Sequence, residues 1–380
     1  MLIDLTDAEP ATSGGKAAVL ARLLEAGLPV PPGFVVPAAA YEQADDGPSA
    51  ELVEEIAQAL VRLGDGYVAV RSSASGEDTV DATAAGQHDT FLGVRGADQV
   101  AGAVRGCWAS LWSERAVEYR RRRGDTGSPT IAVLVQRLVD ADVAGVMFTG
   151  DDLRLEASWG LGESVVGGRV TPDSWVVSGG EITHRALGAK KTRIDRAATS
   201  EVEPADRDRF CLADDEVTRL ARLGREISEL LGGPQDIEWA IAGSRIWILQ
   251  ARPVTSALPA ARAAAGEESA ALAGTPASPG TATGPAHVVR GPADFARVRP
   301  GDVLVCRTTD PAWTPLFGVV AAVVTETGGL LSHAAIVARE QGLPAVVAVP
   351  DATTALPDGA TVEVDGSAGR VAVLGSGARS

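Results

Sequence analysis

Between Thr255 and Ala273 the sequence is mostly alanine with a few charges, and the stretches on either side of it are patterned differently. Such a tract builds no core of its own. It reads as a linker, helical or flexible, that reaches about 30 Å as a helix or about 65 Å if extended. A chain divided in this way folds as more than one body, and 380 residues are ample for two or three. The expected organisation is a first domain over residues 1–254, itself in two subdomains with a boundary near 130. The linker follows over 255–273, and a small second domain over 274–376. No internal repeat is evident.

Upstream of the linker, Gly15-Lys16 leads into a helical pattern through Leu20, Leu23 and Leu24 that stops at Gly27-Leu28-Pro29. A second helix is expected from Ala50 to Leu63 and another from about Val104 to Arg122. Tyr67–Val70 reads as a buried strand running into Arg71-Ser72-Ser73, and residues 75–93 read as a loop. Further strands are expected at 131–135, 145–148 and 174–177. Residues 236–241 and 245–250 alternate in hydrophobicity about Ala242-Gly243-Ser244, which predicts a hairpin. A three-residue loop sets Asp236 opposite Gln250 and Glu238 opposite Ile248. Asp236, Glu238, Gln250 and Arg252 then share one face; a two-residue loop breaks that register.

Hydrophobic residues are 45% of the chain, enough for ordinary cores, and the net charge is −16. Such a balance lacks the basic field of a nucleic-acid or anionic-membrane binder, so neither is an expected partner. Any polyanionic ligand must find its cations locally. Cys107, Cys211 and Cys306 are widely spaced and odd in number, which points to neither a disulfide framework nor a thiolate metal site. The first residues lack the basic and apolar parts of a signal peptide, and no apolar run is long enough to span a bilayer. A reduced, cytoplasmic setting is the expectation.

Downstream of the linker, strand-like runs fall at 303–306, 321–324, 345–349, 362–364 and 371–374. One helix stands among them, from His333 to Glu340, stopped by Gly342 and Pro344. The preceding Thr325-Glu326-Thr327-Gly328-Gly329-Leu330-Leu331-Ser332 is a strand, a glycine turn and a helix start. Two glycines allow the backbone to approach an anion closely. With Ser332 as N-cap, His333 lies in the first helical turn. The positive helix end disfavours imidazolium, keeping the ring neutral and nucleophilic, and welcomes a phosphoryl group once attached.

This segment resembles the phosphohistidine domain of phosphoenolpyruvate synthases, pyruvate phosphate dikinases and rifamycin phosphotransferases. The likeness runs from Ser278-Pro279-Gly280 through Thr308-Thr309-Asp310-Pro311 and Gly342-Leu343-Pro344-Ala345-Val346 to Val364-Asp365-Gly366. Four upstream pieces resemble the ATP-grasp domain of the same families. They are Gly14-Gly15-Lys16; Val70-Arg71-Ser72-Ser73 with the loop to Phe91; Gly160-Leu161-Gly162-Glu163-Ser164-Val165-Val166-Gly167-Gly168; and Asp236-Ile237-Glu238-Trp239 with Gln250-Ala251-Arg252-Pro253. The implied fold class is α+β and multidomain: an ATP-grasp nucleotide-binding domain followed by a small β/α phosphohistidine, or swivelling, domain.

The resemblance makes His333 the phosphoryl carrier, and Lys16, Arg71, Gln136, Glu238, Gln250 and Arg252 the ATP-binding residues. Lys16, Arg71 and Arg252 supply the cations a triphosphate needs. Gln136, at a strand end, is placed near the adenine. Glu238 and Gln250 offer oxygen ligands to Mg²⁺, which takes few protein ligands and fills its shell with water and phosphate. One departure concerns the loop before Ala85-Gly86-Gln87, where Ala84 stands at a position that is commonly a bulky aromatic. His88, His184 and His287 have no partner at metal spacing and read as structural or solvent-facing.

The implied activity is that of a dikinase: the β-phosphoryl of ATP passes through His333 to an acceptor, with AMP and phosphate released. Neither the pyruvate-binding barrel of phosphoenolpyruvate synthases nor the antibiotic-binding domain of rifamycin phosphotransferases is recognisable. The chain reads as complete, so the expected acceptor is a small molecule held between the halves. The alternatives are an acceptor-binding partner subunit in a split enzyme, or a non-catalytic nucleotide-binding remnant. The histidine domain is expected to swing on the linker.

Overall fold

The computed structural model describes residues 1–44, 47–74, 89–113, 116–117, 120–121, 129–254, 258 and 271–375. The chain forms two compact units from discontinuous segments. The first comprises 1–153, 195–199 and 218–254; the second comprises 154–194, 200–217 and 255–380. The sequence assigns residues 154–194 and 200–217 to the first domain, whereas in space they cluster with the histidine-bearing segment.

In the first unit, five strands lie in the order Ile3–Asp4, Gly33–Val36, Ile131–Arg137, Val68–Ala74 and Thr90–Val94. All neighbours are antiparallel. Helices Ala50–Arg62 and Ala97–Ser110 cover the sheet. Leu52, Ile56, Leu60, Val100, Val104 and Cys107 meet Val70, Val133 and Val135 in one core. The first of these helices begins at Ser49, whose hydroxyl accepts the Leu52 N–H (3.2 Å). The second starts earlier than the sequence reading placed it, because the stripe that packs on the sheet opens at Val100.

The hairpin belongs to the same unit. Gln235–Ala242 pairs with Arg245–Pro253 on one side and with Val143–Phe148 on the other, both antiparallel. Its loop has two residues, Gly243 and Ser244, not three, and Gly243 takes a φ of 59° that favours glycine. A bulge between Glu238 and Trp239 then shifts the register, so that Glu238 faces Gln250 and Asp236 faces Arg252.

In the second unit, Leu153–Trp159, all but its first residue, lies beside Asp173–Ser178 and then Glu181–Ala186. A buried ion pair anchors this part: Lys190 Nζ lies 2.6 Å from Asp173 Oδ1, and both side chains are fully buried. Asp173 also accepts the N–H groups of Gly188 (2.7 Å) and Cys211 (2.8 Å).

The histidine-bearing part is an eight-stranded sheet. At its centre Thr281–Val289, Val303–Cys306, Ala322–Thr325 and Ala345–Val347 run parallel. Both faces are covered, as a parallel sheet requires. Leu304 and Cys306 pack toward Ala335, Val337 and Phe317, while Val303 and Val305 pack toward Val362, Val364 and Leu356. That is why the Val303–Cys306 run is apolar throughout. Ala271–Ala273, read from sequence as the end of the linker, is an edge strand paired with Arg370–Ala372. Of the remaining linker only Leu258 is described. Among the described residues no helix is long and apolar enough to cross a membrane.

Candidate active site

The nucleotide-type residues gather in the first unit around Arg71. Its strand, Val68–Ala74, holds the guanidinium over the polar face of the hairpin. Nη2 donates to Glu238 Oε2 (3.0 Å) and to Gln250 Oε1 (2.7 Å), and Nη1 donates to the Leu249 carbonyl (2.8 Å). Leu249 is the extra residue of the bulge, so the irregularity that levels Glu238 with Gln250 also turns a carbonyl to Arg71. Two residues along, Arg252 grips Asp236, with Nη2 2.7 Å and Nε 2.8 Å from Oδ2.

Lys16 is brought to the same strand by a break in the first helix. Pro10–Glu25 is interrupted at Gly14, where φ is 75° and a Cβ would collide with the Ser73 carbonyl. The helix restarts against Ser72 and Ser73. Lys16 Nζ donates to the Ser72 carbonyl (2.9 Å), and Ser73 Oγ donates to the Ser13 carbonyl (2.7 Å). Ser73 also accepts the Ala17 N–H (3.2 Å). The two serines after Arg71 are therefore the stitching between strand and helix. Gln136 is buried on the neighbouring strand, and its amide donates to the Pro31 carbonyl (2.8 Å). The loop at 75–88, with His88 in it, lies outside the described residues.

In the second unit, His333 opens the helix His333–Glu340. The ring is buried. Its Nδ1 lies 3.3 Å from the hydroxyl of Thr309, and Phe317 stands edge-on to it. Ser332 occupies the N-cap position without capping through its side chain; its hydroxyl donates instead to the Gly329 carbonyl (2.8 Å), tightening the turn. That turn is gripped from the Leu153–Trp159 strand. Glu156 accepts the N–H of Leu330 at Oε1 (2.6 Å) and of Leu331 at Oε2 (3.0 Å). Burial pushes the Glu156 carboxyl up to about 7, against the lowering effect of these two N–H groups and of Arg339 and Arg154.

Nearby, the carbonyls of the Gly167-Gly168 pair meet two threonines of the histidine-bearing part. Thr308 Oγ1 donates to Gly167 and Gly168 (3.0 Å each), and Thr327 Oγ1 donates to Gly168 (2.7 Å). The glycine motif that sequence groups with the nucleotide half thus meets the histidine turn.

Lys16, Arg71, Glu238, Gln250 and Arg252 converge on one strand and one hairpin face; Gln136 is engaged by the Pro31 carbonyl instead. His184 is exposed. His287 is buried with Nδ1 3.7 Å from Asp302 Oδ2. Sequence reasoning assigned no role to Glu156, Thr309 or Arg339. A strand signal for the first was present, since Leu153, Leu155, Ala157 and Trp159 alternate with Arg154, Glu156 and Ser158.

Two family models match in chain order. The one described as pyruvate phosphate dikinase, AMP/ATP-binding domain, covers residues 44–271. The chain belongs to this dikinase family. The model of the PEP-utilising enzyme mobile domain covers residues 298–369, around His333. The fold class is accordingly α+β and multidomain, an ATP-grasp-type part followed by a mobile-domain part.

Relatives of this dikinase-family chain include the probable phosphoenolpyruvate synthase of Methanothermobacter thermautotrophicus, 40% identical over 416 residues, covering 94% of this chain and 61% of that protein. The phosphoenolpyruvate synthase of Pyrococcus furiosus is 34% identical over 460 residues, covering 94% of this chain and 56% of that protein. That of Aeropyrum pernix is 36% identical over 458 residues, with the same coverage of 94% and 56%. The chain therefore spans little more than half the length of the curated relatives it matches.

Proposed function

We propose that the chain is an ATP-dependent phosphotransferase of the dikinase type, in which His333 takes the β-phosphoryl of ATP and hands it to a small acceptor. AMP leaves from the β-phosphorus and water takes the γ-phosphoryl as phosphate, so that ATP, acceptor and water give AMP, phosphate and the phosphorylated acceptor. The observation that carries this reading is the placement of His333: at a helix start, behind a glycine turn, with Nδ1 on a hydroxyl. In the reactive form Nδ1 carries the proton and donates it in a hydrogen bond to Thr309 Oγ1. Nε2 then presents the lone pair that attacks phosphorus. The helix end favours the neutral ring before transfer and the anionic group after it.

The nucleotide's part falls to Arg71, Lys16 and Arg252. Mg²⁺ fits the oxygen pair of Glu238 and Gln250, since both oxygens already converge on one atom, Arg71 Nη2. Two neutral-or-anionic oxygens with the rest left to phosphate and water is the donor set this ion favours. When bound, it supplies charge neutralisation on the phosphates. Arg71 lies beside that oxygen pair, and its planar guanidinium would bind two phosphate oxygens.

The test is incubation with Mg-ATP labelled at either the β or the γ position. The expected outcome is acid-labile label on His333 from the β position only, γ label recovered as phosphate, and AMP rather than ADP. Equal labelling of the His333→Ala variant, or ADP as product, overturns the reading. Turnover with added small acceptors, compared with turnover after adding a candidate acceptor-binding chain, tells a self-contained enzyme from one subunit of a split one.

A further inference from the structure

Of the turn's two glycines, Gly328 is needed for its backbone, with φ at 113°. Gly329 is not: its φ lies outside the left-handed region. What forbids a side chain there is Glu156, because a Cβ on Gly329 would run into the Glu156 carboxylate. The anion to which this turn opens its backbone is thus a carboxylate of the same chain. The carboxylate takes the N–H groups of both Leu330 and Leu331. From the other side Arg339, one helix length on, donates to the Leu330 carbonyl (2.8 Å) and to the Ala277 carbonyl (2.9 Å). The Leu330 residue is therefore held at its N–H by the buried Glu156 carboxyl group and at its C=O by the buried Arg339 guanidinium, immediately before Ser332 and His333.

We infer that Glu156 is a positioning residue for His333: its two hydrogen bonds fix the turn that sets where the imidazole points. This rests on the reading of His333 as the phosphoryl carrier, but the geometry it invokes is independent of ATP. A Gln at this position retains the shape and one good acceptor, and presents an amide N–H₂ to the second backbone N–H. One leg of the grip is lost and replaced by a clash of donors. Misplacement of a reacting group by an ångström is enough to slow a reaction by about 100-fold.

Burial is the main influence on the charge of Glu156 and raises its carboxyl; the backbone N–H groups of Leu331 and Leu330, then Arg339 on the histidine helix and Arg154 on its own strand, pull the other way. Ionisation strengthens both N–H bonds, so the positioning effect should grow as pH rises through neutrality.

The test compares the wild type with Glu156→Gln in the full chain. The first readout needs no catalysis: NMR shifts and hydrogen exchange of the Leu330 and Leu331 amides, and the ring shifts of His333, across pH 5.5–8.5. In the wild type all three should titrate together; in the variant the amides should exchange faster and the common titration should vanish. The second readout is His333 labelling from Mg-ATP, with the rate at saturating ATP expected to fall about 10- to 100-fold and KM for ATP to stay within about twofold. Unchanged amide and ring signals in Glu156→Gln overturn the inference, whatever the labelling shows. If the wild type itself takes no label from ATP, the phosphotransfer reading fails while the amide readout still decides the positioning role. Should Glu156→Gln not fold, Gly329→Ala displaces the carboxylate from the opposite side. The same amide shifts in that variant support the inference, and wild-type shifts overturn it.

Discussion

Glu238 lies directly across the hairpin from Gln250, and Arg71 closes the pair by donating one N–H₂ group to both. In the nucleotide site proposed above, two oxygens and a guanidinium held this way would arrange charge before a triphosphate enters. Arg71→Ala and Glu238→Ala are each expected to lower His333 labelling from Mg-ATP at least about 100-fold. Glu238→Ala removes one hydrogen bond from a pair that is 12% and 25% exposed and should cost about 1 kcal/mol of stability; Arg71→Ala removes three and should cost about 1–3 kcal/mol. Wild-type labelling in both folded variants would remove the nucleotide site from this hairpin.

In the proposed reactive form of His333, Thr309 bears the hydroxyl that accepts the hydrogen bond from the Nδ1 proton. Its hydroxyl sits 3.3 Å from His333 Nδ1. Thr309→Val keeps the shape and deletes the oxygen, so Nδ1 loses its acceptor and the reactive tautomer its preference. Labelling of His333 should slow by about 10-fold or more, and Thr309→Ser should restore it. Ring nitrogen shifts give the check: the valine variant should show a more even mixture of tautomers than the wild type.

The hairpin shows how much of this was legible, and why. Alternation located both strands and put Asp236, Glu238, Gln250 and Arg252 on one face, which is where they lie. The register offered for it was nonetheless wrong. The loop has two residues, which alone would misalign the pairs, and the bulge at Leu249 realigns them. Bulges leave no mark in an alternating pattern, because the partner strand decides where the extra residue goes. His333 and its helix were readable because capping, glycine and proline signals are local. Glu156 was not. Its strand alternates, but the meaning of a carboxylate there depends on a turn far along the chain, and nothing within either segment names the other.

Lys190 carries a different prediction. Its ammonium and the Asp173 carboxylate are both fully buried, 2.6 Å apart. Lys190→Met leaves a buried carboxylate without its counter-charge and should destabilise the fold by about 3–5 kcal/mol. Replacing both partners should not rescue it, because Asp173 also accepts the Gly188 and Cys211 N–H groups, which an apolar residue would strand. Urea unfolding of the single and double variants measures this. A double variant as stable as the wild type would mean that those N–H groups find other acceptors.

The last prediction concerns pH. Burial raises the Glu156 carboxyl from 4.5 to about 7 in the folded chain. Between those two values the folded state holds a proton that the unfolded state has released. The contribution of this group to stability is therefore fully present below pH 4.5 and is lost as pH rises through 7. A shift of this size corresponds to about 3 kcal/mol. Other titrating groups are common to both proteins, so the difference in unfolding free energy between the wild type and Glu156→Gln isolates it. From pH 5 to pH 8 the wild type should lose about 3 kcal/mol relative to the variant, measured by urea titration at fixed ionic strength. Parallel curves would mean that Glu156 ionises at its ordinary value and that the two N–H groups and Arg339 fully offset its burial. A wild type that weakens with pH would instead show a turn held more firmly just as the fold around it is held less so. The carboxylate form makes the stronger hydrogen bonds to Leu330 and Leu331, and the desolvation that form incurs is borne by the whole unit.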